Sequence, residues 1–157
     1  MSQLAWNILT AVTAVLLAAW GLYLKKLHDR LQALDKGFLT PQLRFSYTEE
    51  EMFAAVGRLG AQGHKLLQRF GWLFLPMLVL AGLAMAAVAH NAAQIRWLRW
   101  AMYGFTALGF LLGAAETLCL EFGKIKAASV LGRAKWICFG VWTAGMFAGL
   151  FIQSWAL

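Results

Sequence analysis

Charged residues are scarce in this chain of 157 residues, where they make up 13% of the sequence, against about a quarter in a typical soluble domain. Hydrophobic residues account for 61%, which is well above the usual share in soluble proteins. This composition excludes a soluble globular domain, and the length allows one domain. We therefore expect a single membrane domain over residues 1–157.

The chain also lacks the residue clusters that catalysis or cofactor binding requires. Its two cysteines, Cys119 and Cys138, form no CxxC pair and have no histidine nearby that could complete a metal site. The three histidines are scattered over both ends of the apolar runs, so they offer no paired haem ligands. No phosphate-binding glycine loop, nucleophile elbow or zinc motif occurs. These absences favour a protein without enzyme activity, and they predict no metal and no cofactor.

Long apolar runs dominate what is present. Four runs reach the roughly 20 residues that a helix needs to cross the bilayer core. They cover residues 4–24, 70–89, 100–120 and 136–156, and Glu116 in the third is the one charged residue among them. The first run is expected to be a retained span, since no positive charge precedes it and Lys residues follow it. The sequence thus predicts an all-α polytopic membrane protein, a four-transmembrane-helix bundle.

Basic residues are distributed unevenly between the two ends of these spans. Of the 14 Lys and Arg residues, 12 fall in two connections, residues 25–69 and 121–135, whereas the remaining connection holds Arg96 and Arg99. Because Lys and Arg keep their connections in the cytosol, we expect these two connections inside and both termini outside, in the cytoplasmic (inner) membrane. The same distribution explains the net charge of +7 without nucleic acid as a partner.

The first connection, residues 25–69, is the one substantial soluble part. Leucines at helical spacing after span one predict that the first helix continues into the cytosol until Gly37. A second helix is predicted after Thr48, which can form a capping box with Glu51. Its apolar stripe makes it an amphipathic helix that would lie on the membrane surface or against the bundle.

Three residues predict bends in the chain around span two. Gly60 and Gly63 would allow a bend before the span, and Pro76 removes a backbone hydrogen bond within it. The second basic connection is short, so spans three and four should form an antiparallel hairpin.

Two GxxxG patterns lie in the last two spans. Gly109 and Gly113 share one face of span three with Glu116, while Gly145 and Gly149 share one face of span four. Glycines at this spacing let another helix approach closely, because no side chain holds it away. The two faces could meet within one molecule or bring together two copies of the chain.

Glu116 is the residue on which a functional interpretation depends. A carboxylate in hydrocarbon is costly, so it is protonated, paired or functional. Lys135, at the start of span four, has a stem long enough to pair with it, which would give it a structural role. Alternatively, Glu116 serves a proton-linked role or binds a ligand in a pocket with Thr117, Trp142 and the bend at Pro76.

The run from Phe45 to Pro76 resembles the middle of a family of small bacterial four-span membrane proteins with no established activity. In that family a Tyr-Ser/Thr-x-Glu-Glu segment precedes LGxxG, a proline in span two, an acidic residue in span three and a Lys-Trp start to span four. The matching positions are Tyr47, Thr48, Glu50, Glu51, Leu59, Gly60, Gly63, Phe70, Pro76, Glu116, Lys135 and Trp136. Leu67 and Trp72 depart from the pattern, since an aromatic and an acidic residue are common there. What the resemblance implies is the four-span topology.

Three functions fit these features. The first is an accessory or interaction protein, whose partners would be membrane lipids, another membrane protein or a second copy of the chain, and whose amphipathic segment would be the contact surface. The second is a protein or enzyme that binds a lipid or a hydrophobic small molecule at an intramembrane site around Glu116. The third is a proton-coupled transporter that works as a dimer.

Overall fold

The structure is a computed structural model that describes residues 1–156. Four helices, each long and apolar enough to cross a membrane, make up most of this part of the chain, which contains no strand. They are α1 (Gln3–Leu34), α2 (Glu49–Ala92), α3 (Arg96–Glu121) and α4 (Ile125–Ala156), and a short 3-10 helix, Pro41–Leu43, lies between α1 and α2. The predicted all-α fold of a four-span membrane protein is confirmed.

α1 and α2 form one antiparallel pair. Near the start of α1, the Gln3 side chain donates a hydrogen bond of 2.8 Å to Oδ1 of Asn91, close to the end of α2. Further along, the Trp20 ring N–H donates to the backbone carbonyl of Leu73 at 2.8 Å. The two helices therefore lie side by side over most of the length of α1.

α3 and α4 form a second antiparallel pair, as the short connection between them predicts. Leu98 near the start of α3 packs against Gly149 near the end of α4, and the Cys138 thiol donates to the backbone carbonyl of Phe105 at 3.2 Å. The turn between the helices contains Gly123 with φ +74°, a left-handed conformation that glycine adopts without a steric cost.

α2 and α3 join the two pairs. They lie in contact from Gly71, which packs on the Glu121 carboxylate, past Leu78, which packs on Gly113. The contact continues to His90, whose ring nitrogen is 2.7 Å from the Tyr103 hydroxyl. α2 and α4 touch over a much shorter stretch. A groove is therefore left between α2 and α4, with α3 as its floor.

The connection between α1 and α2 is folded against the bundle. α1 has 32 residues, about 48 Å at 1.5 Å per residue, and so exceeds the roughly 30 Å of the bilayer core. It ends at Leu34, three residues before the predicted stop, and the backbone N–H of Asp35 still bonds to Leu31. Gly37 then turns the chain with φ +80°.

The predicted capping box is present at the start of α2. The Thr48 hydroxyl accepts from the backbone N–H of Glu51 at 3.2 Å, and the Glu51 carboxylate accepts from the backbone N–H of Thr48 at 3.4 Å. The predicted short amphipathic helix follows as residues 49–59, and a kink at Gly60 separates it from the rest of α2.

Gly60 alone interrupts the helical torsion angles of α2, with φ 70° and ψ −171°. Gly63, the other residue expected to bend the chain, is helical and buried, and it packs against Leu59. Pro76 lies within the helical part of α2, and the bend there stays a prediction.

The bundle has two distinct ends. We name the end that contains residues 25–69 and 121–135 the basic end, and the opposite end, with Ser2, the α2–α3 connection and Ala156, the terminal end. Between them, large apolar side chains are exposed on all four helices. Such exposure requires an apolar surrounding, which lipid supplies.

Candidate functional site

Glu116 lies in a closed polar cluster toward the basic end of the bundle. Its side chain is 0% exposed, and the Lys135 ammonium donates to its Oε2 at 2.6 Å. The Tyr47 hydroxyl donates to its Oε1 at 3.0 Å. Each carboxylate oxygen therefore has a donor from another part of the chain. Of the two alternatives that the sequence left open, the geometry favours the pair with Lys135.

Glycines on α3 and α4 make room for this pair. Gly132, one turn before Lys135, lies so close to the Glu116 carboxyl group that an added Cβ would collide with it. Gly113, one turn before Glu116, would place an added Cβ 3.0 Å from a methyl carbon of Leu78 and 3.3 Å from Cδ of Lys135. The lysine stem can cross α3 because Gly113 has no side chain.

The other three glycines of the GxxxG patterns also lie at contacts within one chain. Their neighbours are Cys138 for Gly109, Met102 for Gly145 and Leu98 for Gly149. Both glycine faces therefore meet inside the molecule, along the contact between α3 and α4, and a second copy of the chain is not needed to cover them.

Residues 41–47 are tied to α4 by buried hydrogen bonds. Lys135 donates a second time, to the backbone carbonyl of Gln42 at 2.7 Å. The Ser129 hydroxyl donates to the backbone carbonyl of Tyr47 at 2.8 Å. The connection between α1 and α2 is thus fixed to the same cluster that holds α3 and α4 together.

Tyr47 is the member of the cluster that the sequence did not single out as a site residue. It is 2% exposed, and burial, together with the nearby negative charge of Glu116, raises the pKa of its hydroxyl well above the usual value. The hydroxyl therefore stays protonated at neutral pH and remains a donor. Its one signal in the sequence was its place in the run that resembles the four-span family.

The residues of the predicted pocket, Glu116, Thr117, Trp142 and Pro76, have separate surroundings. Thr117 is fully buried beside Glu116, and its hydroxyl has no partner among residues 1–156. Trp142 lies two turns beyond Lys135 on α4 and packs against a cluster at the terminal end. Pro76 lines a different cavity, among α1, α2 and α3.

The groove between α2 and α4 contains an apolar cavity of about 280 Å³ that extends toward the polar cluster. Phe105 and Gly109 of α3 lie on its floor, and Phe74 of α2 and Trp136 of α4 line its sides. At its polar end the cavity is bordered by Lys135 and by Gln42, while the rest of its lining is nearly all apolar: Leu43, Met77, Leu78, Ala81, Gly82, Met85, Thr106, Phe110 and Phe139.

The Lys135 ammonium lies at the border of this cavity. Its Nζ is 5.1 Å from the centre of the Trp136 ring and 5.8 Å from the centre of the Phe74 ring. Aromatic faces attract a cation at such distances. The two rings therefore help to keep the ammonium at the border of the cavity, beside its acceptors on Glu116 and Gln42.

In the part of the chain that the structure describes, no group of three His, Cys, Asp or Glu side chains lies close enough to hold a metal ion. Cys119 and Cys138 are free thiols there.

Comparison with known proteins adds no further constraint. No protein-family model, no curated protein and no solved structure matches the chain.

Proposed function

We propose that this protein binds a lipid-soluble molecule in the groove between α2 and α4 and acts without catalysing a reaction. The observation that carries the proposal is an apolar cavity of about 280 Å³ with a buried lysine at one end. Ligand pockets of proteins typically enclose about 300–1,000 Å³ and combine an apolar lining with a few placed polar groups. The cavity lies near the lower limit, which suits a single chain or a small ring.

The orientation proposed for the protein follows from its charges. We place the basic end in the cytosol and both termini outside, in the cytoplasmic membrane, because 12 of the 14 Lys and Arg residues belong to the basic end. The polar end of the groove would then lie in the cytosolic half of the bilayer, and its apolar part would extend toward the midplane.

Membership of the small four-span family also remains our proposal. Its support is that Tyr47, Glu116 and Lys135, three positions of the resemblance that are far apart in the sequence, meet in one hydrogen-bonded cluster.

Filling the groove tests the proposed function. Gly82 lines the cavity, and an added Cβ would lie 3.9 Å from a methyl carbon of Thr106, so Gly82→Leu should fold while its longer side chain occupies the groove. Gly140→Leu is the matched control, since no atom lies within 4 Å of a Cβ at that exposed position on α4.

The measurement is native mass spectrometry of the three proteins purified in mild detergent. We expect the wild type and Gly140→Leu to retain a bound molecule of defined mass that Gly82→Leu has lost. Identical spectra for all three proteins would contradict the proposal.

A second candidate function is that of an accessory protein with a contact surface at the basic end. Phe45 in the connection after α1 and Phe53 near the start of α2 are more than half exposed there, although the connection is fixed to the bundle through Tyr47. We expect a partner protein to co-purify with the wild type and to be lost in Phe53→Ser. A monomer without a partner in both preparations would refute this function. The dimeric transporter is less well supported, because both Glu116 oxygens already have donors.

A further inference from the structure

The Lys135 ammonium has a hydrogen-bonding capacity that the protein does not use. An ammonium group carries three N–H donors. Two of them are directed to Oε2 of Glu116 at 2.6 Å and to the carbonyl of Gln42 at 2.7 Å. Among residues 1–156 no third acceptor forms a hydrogen bond with it, so one donor remains available.

The apolar cavity is where an acceptor for this third donor can lie. Lys135 lines the apolar cavity, and its ammonium lies within 6 Å of the centres of two rings, Phe74 and Trp136, that line the same cavity. Leaving a donor of a buried charge unpaired is unfavourable. An acceptor atom on a molecule in the groove would satisfy it.

The charge of the cluster decides which acceptor fits. The carboxylate of Glu116 lies 2.6 Å from the ammonium and cancels its charge, and Tyr47 is neutral. An anionic head group would gain one hydrogen bond, but it would leave water for a site whose own charges already cancel, at a high cost in desolvation. A carbonyl oxygen without a charge gains the hydrogen bond without that cost.

We propose that the groove takes a lipid-soluble molecule with a neutral carbonyl group, such as a ketone, an ester or a quinone, and that Lys135 donates its third N–H to that carbonyl oxygen. This inference rests on the proposed function, since it names the class of the molecule that the groove binds. Lys135 is then a specificity-determining residue, and Glu116 is the positioning residue that neutralises it.

Three probes of equal chain length separate the alternatives: 2-dodecanone, dodecane and dodecanoate. Their dissociation constants are measured by native mass spectrometry for the delipidated protein. We expect 2-dodecanone to bind about ten-fold more tightly than dodecane, which is the factor that one net hydrogen bond provides, and dodecanoate to bind less tightly than 2-dodecanone.

The matching variant removes both charges together, so that no buried carboxylate is left unpaired. In Glu116→Gln with Lys135→Met, 2-dodecanone should lose its advantage over dodecane, while dodecane should bind as it does to the wild type. The infrared band of a ¹³C-labelled carbonyl in 2-dodecanone gives an independent test in the wild type alone. This band should shift to lower frequency on binding, as expected for a hydrogen bond to an ammonium group.

The outcomes distinguish this inference from the proposed function. Equal affinities for 2-dodecanone and dodecane, or an unshifted carbonyl band, would overturn the role of Lys135 and leave the groove as a binding site. Tightest binding of dodecanoate would overturn the preference for a neutral head. No binding of any probe would refute the proposed function itself.

Discussion

The buried pair of Glu116 and Lys135 predicts a specific pattern of stabilities in a double-mutant cycle. In Lys135→Met, the carboxylate of Glu116 stays fully buried with the Tyr47 hydroxyl as its one remaining donor. Removing one partner of a buried ion pair costs about 3–5 kcal/mol, because the other charge is left uncompensated. We expect a loss of that size in the free energy of unfolding.

The reciprocal change should cost less. In Glu116→Gln, the lysine keeps two acceptors, the new amide oxygen and the carbonyl of Gln42, so we expect a loss of about 1–3 kcal/mol. In the double variant neither charge remains. Its loss should therefore fall short of the sum of the two single losses by about 2 kcal/mol or more.

Unfolding in mixed detergent micelles with increasing sodium dodecyl sulfate, followed by circular dichroism, measures these free energies. Lys124→Met is the control, because Lys124 is an exposed lysine at the same end of the bundle, and it should change stability by less than about 0.5 kcal/mol. The assignment of a buried, coupled pair would be refuted by losses of unfolding free energy below about 1 kcal/mol in each single variant that add up in the double variant.

Three further predictions follow from single residues. Tyr47→Phe should lower the free energy of unfolding by about 1–3 kcal/mol, because the hydrogen bond to Glu116 is lost. Since the pKa of Tyr47 is raised in the folded protein, this difference from the wild type should be complete below about pH 10 and shrink as the pH rises further. Unfolding measured at each pH tests this. Gly60→Ala should destabilise by about 1–3 kcal/mol because φ 70° with ψ −171° is accessible to glycine alone, whereas Gly57→Ala, in the regular helix, should be neutral or stabilising. Gly149→Ala should lower the melting temperature because its Cβ meets Leu98. Wild-type stability in Tyr47→Phe, Gly60→Ala or Gly149→Ala would contradict, respectively, the hydrogen bond, the backbone conformation or the packing described at that position.

The helices could be predicted because their signals are local. Apolar runs of sufficient length fix the four spans, and the capping box at Thr48 and Glu51 fixes the start of α2. The pairing of Glu116 with Lys135 was also accessible, since an antiparallel hairpin brings the end of span three beside the start of span four. Each of these predictions depends on the spacing of residues along the chain. None of them requires the path of a long connection to be known.

The rest of the site depends on contacts between distant segments. Tyr47 and Gln42 reach the cluster because the connection after α1 folds back over α4, and no periodicity in the sequence encodes that path. The cavity exists because α2 and α4 touch over a short stretch only, which is set by the packing of whole helices. The surroundings of Trp142 also depend on packing between helices, since it lies against the cluster of Leu98, Met102 and Met146.

An experimental structure of the protein in lipid, at a resolution that shows bound molecules, tests the central claim most directly. We expect elongated density in the groove beside Phe105 and Gly109 that ends within hydrogen-bonding distance, about 2.7–3.2 Å, of the Lys135 ammonium. Glu116 and Gln42 should keep their own bonds to that ammonium. A groove closed by protein side chains, or density that leaves Lys135 without a third acceptor, would contradict it.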